Sequence, residues 1–203
     1  MPDVFIHSTT EVSSPPEASA LLSQLNSKRE LFINLQWKQN MDRMVITLLQ
    51  VGERTIGIEN KWNLFMWTIP GEILVGQINE LKQLLQNRSC LKVMFNPRGD
   101  YTKLLHYGIQ MRGLFDVQSF VQCATSNTST MAHPMTPEQI CERYKISFTT
   151  NELLCIVNMF TFLKRKKGEW CMASKRTKYI YRRKISRILR LTENQKALLN
   201  QRR

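Results

Sequence analysis

The stretch Cys90–Val117, "CLKVMFNPRGDYTKLLHYGIQMRGLFDV", decides how the chain folds. Its first six residues, Cys90–Phe95, form an apolar run of the length of a buried strand, and Asn96-Pro97 breaks that run. Tyr101, Leu104, Leu105 and Tyr107 then fall at helical spacing, and Gly108 supplies a helix end, since glycine alone enters the left-handed region at no steric cost. Residues 113–122, "GLFDVQSFVQ", read as a last strand or a strand running into a helix. A strand, a short helix and a second strand in so few residues are the repeating unit of a sheet covered by helices.

Upstream, three runs have strand character: Leu31–Trp37 ("LFINLQW"), Met44–Val51 ("MVITLLQV") and Thr55–Glu59 ("TIGIE"). Polar turns separate them, which predicts an antiparallel meander, with Glu59 and Lys61 as surface residues after its third strand. Val4–His7 is a short strand before the meander. "SSPPEASALLSQLN" is a helix that Ser14 can cap, with Pro15 in the first turn and Glu17 at the capping-box position. Residues 73–87 carry Ile78, Leu81, Leu84 and Leu85 at helical spacing. Downstream, residues 123–135 are small, polar and aperiodic, as in a mobile loop. Thr136-Pro-Glu-Gln139 is a capping box opening a helix through Tyr144, and Thr149–Glu152 opens another over "LLCIVNMFTFL". The order is β, α, βββ, α, β, α, β and then helices, which packs as a mixed sheet with helices on both faces.

The chain has 203 residues and a net charge of +13. Fifteen of the 29 Lys and Arg but only two of the 16 Asp and Glu lie from Lys164 to Arg203, so residues 1–163 balance at 14 of each. Charge so concentrated argues for an electrostatic binding face. No apolar run is long enough to span a membrane, and the N-terminus lacks a basic segment followed by an apolar one, so a soluble cytoplasmic protein is expected. "KRKK" at 164–167 could also direct it to the nucleus. The five cysteines (Cys90, Cys123, Cys141, Cys155, Cys171) contain no Cys-x-x-Cys pair, and His7, His106 and His133 lie far apart. Buried reduced thiols are expected, with no zinc site and no cofactor.

The ordered set "FNPRGD" (95–100), "LLHYGI" (104–109) and "LFDVQ" (114–118), behind three consecutive strands, resembles a ribonuclease D-type (DEDD) 3′–5′ exonuclease domain of the ribonuclease H-like superfamily. The resemblance covers residues 1–163 and implies an α/β fold with a mixed five- to six-stranded sheet flanked by helices, followed by a basic helical extension over 164–203. That family uses four carboxylates to hold two divalent metals, which activate water and stabilise the leaving oxygen. At the positions matching the Asp-x-Glu pair, this chain has Asn34 and Gln36. Asp100 matches the third acid, behind Phe95 in place of the usual His. In the helix of the fourth acid, Cys155 stands at the Tyr and Met159 at the Asp, with Asn158 beside it. Asp116 matches the family's non-catalytic Asp. A neutral amide cannot supply the charge that a pair of cations demands, so the expectation is an inactive exonuclease homologue with no metal site.

Three function readings follow. The first is a non-catalytic RNA-binding adapter, similar in kind to the inactive exonuclease-domain adapter of the piRNA pathway, a resemblance that implies small-RNA processing, protein partners and a homodimer. Its expected contacts with single-stranded RNA are Lys164, Arg165, Lys166, Lys167, Trp170, Lys175, Arg176, Lys178, Tyr179, Arg182, Arg183, Lys184 and Arg187. Cations neutralise phosphates and aromatic faces stack on bases. The alternative is a protein–protein scaffold whose basic segment binds an acidic partner; an active exonuclease with atypical ligands ranks third. No membrane association is expected.

Overall fold

A computed structural model describes residues 5–40, 43–54, 61–71, 73, 75–125, 135–146, 156, 157 and 159. The elements run β1 (Phe5–Val12), α1 (Pro15–Leu25), β2 (Glu30–Asn40), β3 (Arg43–Arg54), β4 (Lys61–Thr68), α2 (Asn79–Gln86), β5 (Leu91–Met94), α3 (Arg98–His106), β6 (Leu114–Asp116), α4 (Val117–Thr125) and α5 (Pro137–Tyr144). A single 3-10 turn, Val75–Gln77, precedes α2.

The strands form one six-stranded sheet in the order β1-β4-β3-β2-β5-β6. β3 is antiparallel to both its neighbours, while β1 with β4, β2 with β5 and β5 with β6 are parallel. The meander is therefore β2-β3-β4, with Lys61–Thr68 as its third described strand; the expected strand Thr55–Glu59 lies outside the described residues. "KWNLFMWT" carries large apolar residues on both faces: Trp62 and Leu64 enter one core cluster and Trp67 the other. Lys61, expected just beyond a strand, instead opens this one. β1 also runs five residues past His7. Its Ser8–Glu11 segment is an exposed edge, so no apolar alternation marks it in sequence.

Alternation along β2 sends Leu31, Ile33 and Leu35 into a cluster with Leu22 and Leu25 of α1, Leu81, Leu84 and Leu85 of α2, and Tyr101 and Leu104 of α3. Phe32 enters the opposite cluster, with Val117 and Val121 of α4, Ile140 and Cys141 of α5, and the helical residues Ile156, Val157 and Met159. Three layers result, as the order of elements predicts.

Local signals set the helix ends. Ser14 caps α1 by accepting from the Glu17 amide at 3.4 Å, while the Glu17 carboxylate reaches one residue further back than a capping box requires, to the Ser13 amide at 3.0 Å. Thr136 and Gln139 form the full reciprocal box of α5. α3 ends at His106, and Gly108 follows with φ +70. Cys90 and Cys141 are buried, and neither forms a disulfide.

Candidate nucleic-acid site

Asn34, Gln36 and Asp100 lie toward the C-terminal ends of β2 and β5, the end of the sheet at which α3 begins. Asn34 follows Phe32 on the α4/α5 face and is half-buried; Gln36, two residues on, is exposed. The register places Asn34 opposite Gln50 of β3, and Gln50 opposite Met66 of β4. Asn34 Nδ2 donates to Gln50 Oε1 at 3.0 Å, and Gln50 Nε2 lies 3.7 Å from Met66 Sδ. An amide ladder thus crosses three strands. Each link is between neutral groups, so it needs no counterion. At Gln36 the β2–β3 register shifts, leaving Thr47 of β3 without a β2 partner, and Thr47 Oγ1 donates to the Gln36 carbonyl at 3.4 Å.

Asp100 sits in the first turn of α3, where a carboxylate suits the positive end of the helix. Its Oδ1 accepts from Trp37 Nε1 at 2.8 Å. Trp37 belongs to the opposite alternation set from Asn34 and Gln36 and packs on the first cluster. Lys103, one turn along α3, holds its Nζ 5.2 Å from the centroid of the same indole. The structure therefore draws Asp100 toward an indole and an ammonium, while Asn34 faces Gln50.

Met159, at 0% exposure, lies in the second cluster with Phe32, Trp62 and Val93. The described members of that cluster are hydrophobic. Asp116 is also buried, but it is fully engaged: Oδ1 accepts from the amides of Asn96 and Gln118, each at 3.0 Å, and Oδ2 from Ser119 Oγ. Burial pushes its carboxyl above the usual range, against the opposing pull of those hydrogen bonds. Asn96 takes φ +46, a left-handed conformation that asparagine tolerates, and so turns the chain from β5 into α3. Asp116 thereby ties this turn to the start of α4 and fixes where Asp100 stands.

Among the described residues, no group of three or more His, Cys, Asp and Glu is placed to hold a metal ion. No described helix is long and apolar enough to cross a membrane. Cys155, Asn158 and the basic and aromatic positions from Lys164 to Arg187 lie outside the described residues, as does the whole 164–203 extension. Sequence reasoning missed Gln50, Trp37 and Lys103. For Gln50 the usable signal was its place between the apolar Leu49 and Val51 within a strand.

Known proteins place this architecture. A family model described as 3′–5′ exonuclease matches residues 13–151, more than half of the chain. No curated protein matches the sequence. Among solved structures, Trypanosoma brucei RNase D complexed with RNA U12 superposes with a TM-score of 0.62 at 13% identity, covering 77% of this chain and 62% of that one. The Aedes aegypti Nibbler EXO domain gives 0.56 at 15% identity, covering 80% and 89%. The catalytic core of Trypanosoma brucei RRP6 gives 0.59 at 14% identity, covering 89% and 51%. This chain thus spans less than two-thirds of the RNase D and RRP6 chains. Identities this low speak for the fold, a mixed sheet flanked by helices of the ribonuclease H-like exonuclease type. The chain belongs to the 3′–5′ exonuclease family.

Proposed function

We propose that this chain is a non-catalytic member of its family that binds single-stranded RNA and serves as an adapter. The observation carrying the proposal is the donor set at the sheet end. Asn34 and Gln36 are amides, Asn34 is bonded to Gln50, and the Asp100 carboxylate accepts an indole N–H. Magnesium prefers anionic oxygens and keeps several waters. Two neutral amides, one carboxylate already hydrogen-bonded and a thioether sealed among apolar side chains do not fit a pair of such ions. No hydrolytic step is derived through them.

Affinity for RNA in this reading comes from charge. The net +13 resides wholly in residues 164–203, and cationic contacts to phosphates are independent of base sequence. RNase D in complex with RNA U12 shares the fold, which supports RNA as the ligand class. Small-RNA processing, protein partners, a homodimer and a cytoplasmic location belong to this proposal as the setting in which an adapter of this kind would act.

The test is one assay on 3′-labelled single-stranded RNA, resolved for binding and for length, with and without Mn²⁺. Retarded RNA of unchanged length in both conditions is expected, with affinity falling steeply with salt. Manganese-dependent shortening that Asp100→Asn abolishes would overturn the non-catalytic assignment. Absence of any retardation at low salt would remove RNA as the ligand and favour a scaffold that engages an acidic protein.

A further inference from the structure

The end of the sheet opposite Asn34 and Asp100 has a character of its own. α1, α2 and α3 all deliver their C-termini there, into the segments that lead to β2, β5 and β6. Backbone contacts lock those segments together. The Leu91 amide donates to the Arg29 carbonyl at 2.8 Å, the Arg112 amide to the Leu85 carbonyl at 2.9 Å, and Asn87 Nδ2 to the Asn26 carbonyl at 2.9 Å. Gly113, at φ +63, lets the chain pass so close that a Cβ there would meet the Arg88 carbonyl at 3.2 Å.

This fixed end is basic. Arg29 and Arg88 are exposed, as is Arg54 at the end of β3, which runs back toward the same pole. Arg112 is half-buried and its Nη2 donates to Gln110 Oε1 at 3.3 Å. Lys28 is neutralised by its ion pair with Glu53, leaving Glu30 as the remaining acid among these segments.

A cation beside a helix C-terminus ordinarily serves the unsatisfied carbonyls there. Here those carbonyls are served by other donors. Gln24 O accepts from the Ser27 amide and hydroxyl, Leu25 O from the Lys28 amide, and Leu84 O from the Asn87 amide. Asn87 O accepts from the Lys92 ammonium, and Leu104 O and Leu105 O from the amides of residues 107–109. The guanidinium groups of Arg29, Arg54 and Arg88 make no hydrogen bond or ion pair among the described residues. They stand as planar forks of donors facing water, a geometry that matches phosphate oxygens.

Among the described residues of these segments, the exposed side chains Gln24, Ser27, Gln83 and Ser89 are polar. A protein partner needs an apolar or aromatic centre to bind against. A sugar–phosphate backbone needs only cations and hydrogen-bond donors. We infer that this basic pole, centred on Arg29, Arg54 and Arg88, carries the phosphodiester backbone of single-stranded RNA, at the opposite end of the sheet from the amide ladder and on residues outside the 164–203 charge run. The inference rests on the RNA-binding reading above.

The full-length chain is tested with a fluorescein-labelled uridine oligomer by anisotropy across about 0.05 to 0.2 M salt, beside Arg29→Gln/Arg88→Gln and Arg29→Lys/Arg88→Lys. The glutamine pair should weaken binding roughly tenfold and flatten the slope of log affinity against log salt by about 1.4, the value for two lost single-strand phosphate contacts. The lysine pair should keep the slope, because it keeps the charge. Thermal unfolding of all three should coincide, since these side chains make no hydrogen bond or ion pair among the described residues. Wild-type binding with an unaltered affinity and slope in the glutamine pair overturns this site and leaves RNA binding standing. No binding by the wild type overturns both. Loss of polyglutamate binding with RNA binding intact would reassign the pole to an acidic protein.

Discussion

Lys92→Met should stabilise the protein at neutral pH and remove a pH dependence that the wild type shows. Lys92 stands between the apolar Leu91 and Val93 in β5 and has 0% exposure. Its ammonium donates to the Asn87 carbonyl, at the C-terminal end of α2. Burial pushes its pKa down from 10.5 to about 8, with the nearby Cys90 opposing the shift. Between about pH 8 and 10.5 the unfolded chain holds a proton that the folded chain has released, so stability rises with pH across that window. Below about pH 8 both states are protonated and the slope vanishes. At about 1.4 kcal/mol per pH unit, the charged lysine costs the fold about 3 kcal/mol at pH 7. Methionine has a similar unbranched stem and no charge; it leaves the Asn87 carbonyl without a partner, at about 1 kcal/mol. The net gain expected at pH 7 is therefore about 2 kcal/mol.

Cys90 acts in the opposite sense. Burial raises its thiol above 9.0, so the folded chain keeps a proton that the unfolded chain has lost, and stability falls as the pH climbs past that value. The quantity to measure is thus the difference between the two proteins in a Cys90→Ala background, because the Lys92 charge itself pulls the Cys90 thiol down. Urea unfolding, followed by circular dichroism at several pH values, should show the advantage of Lys92→Met shrinking by about 2 kcal/mol between about pH 7 and 9.5. A difference that stays constant over that range, or a variant less stable than wild type at pH 7, would refute the assignment of a desolvated lysine.

Met159→Asp, which writes an acid back at the fourth family position, should destabilise by about 3–5 kcal/mol in urea unfolding, because the carboxyl would enter an apolar cluster. Asp100→Ala should cost about 1–2 kcal/mol and shift the Trp37 emission maximum, with Trp37→Phe producing a non-additive loss in a double-mutant cycle. Asn34→Asp with Gln36→Glu should leave 3′-labelled RNA uncut in Mn²⁺, since the thioether of Met159 remains; shortened products would contradict the reading.

The order of elements was legible in the sequence because β2, β3 and β5 are apolar runs, α1 and α5 carry capping residues, and α2 carries apolar residues at helical spacing. β4 was missed for a physical reason. Its residues alternate between two clusters and both sets are large and apolar, so no period of two appears, and the β-branched "TIGIE" ahead of it drew the assignment instead. Along β1, Ser8–Glu11 form hydrogen bonds to β4 while their side chains face water, a state that hydropathy does not report. At the candidate site, the residue types at positions 34, 36 and 100 were plain from the chain. The partners were not: Trp37 reaches Asp100 across 63 residues, and Gln50 meets Asn34 only through strand register. Nothing in "CLKVMF" marks Lys92 as buried, since a strand residue with a charged tip ordinarily points to solvent.

Asp116 has a mechanical consequence. A single oxygen, Oδ1, receives both the Asn96 amide from the β5–α3 turn and the Gln118 amide from the start of α4. Two segments that share one atom cannot move independently by more than that bond tolerates. A load on the first turn of α3, where Asp100 stands, is therefore passed straight to α4 on the other side of the sheet. A ligand contacting the first turn of α3 would therefore touch a segment that one side chain links to the far layer.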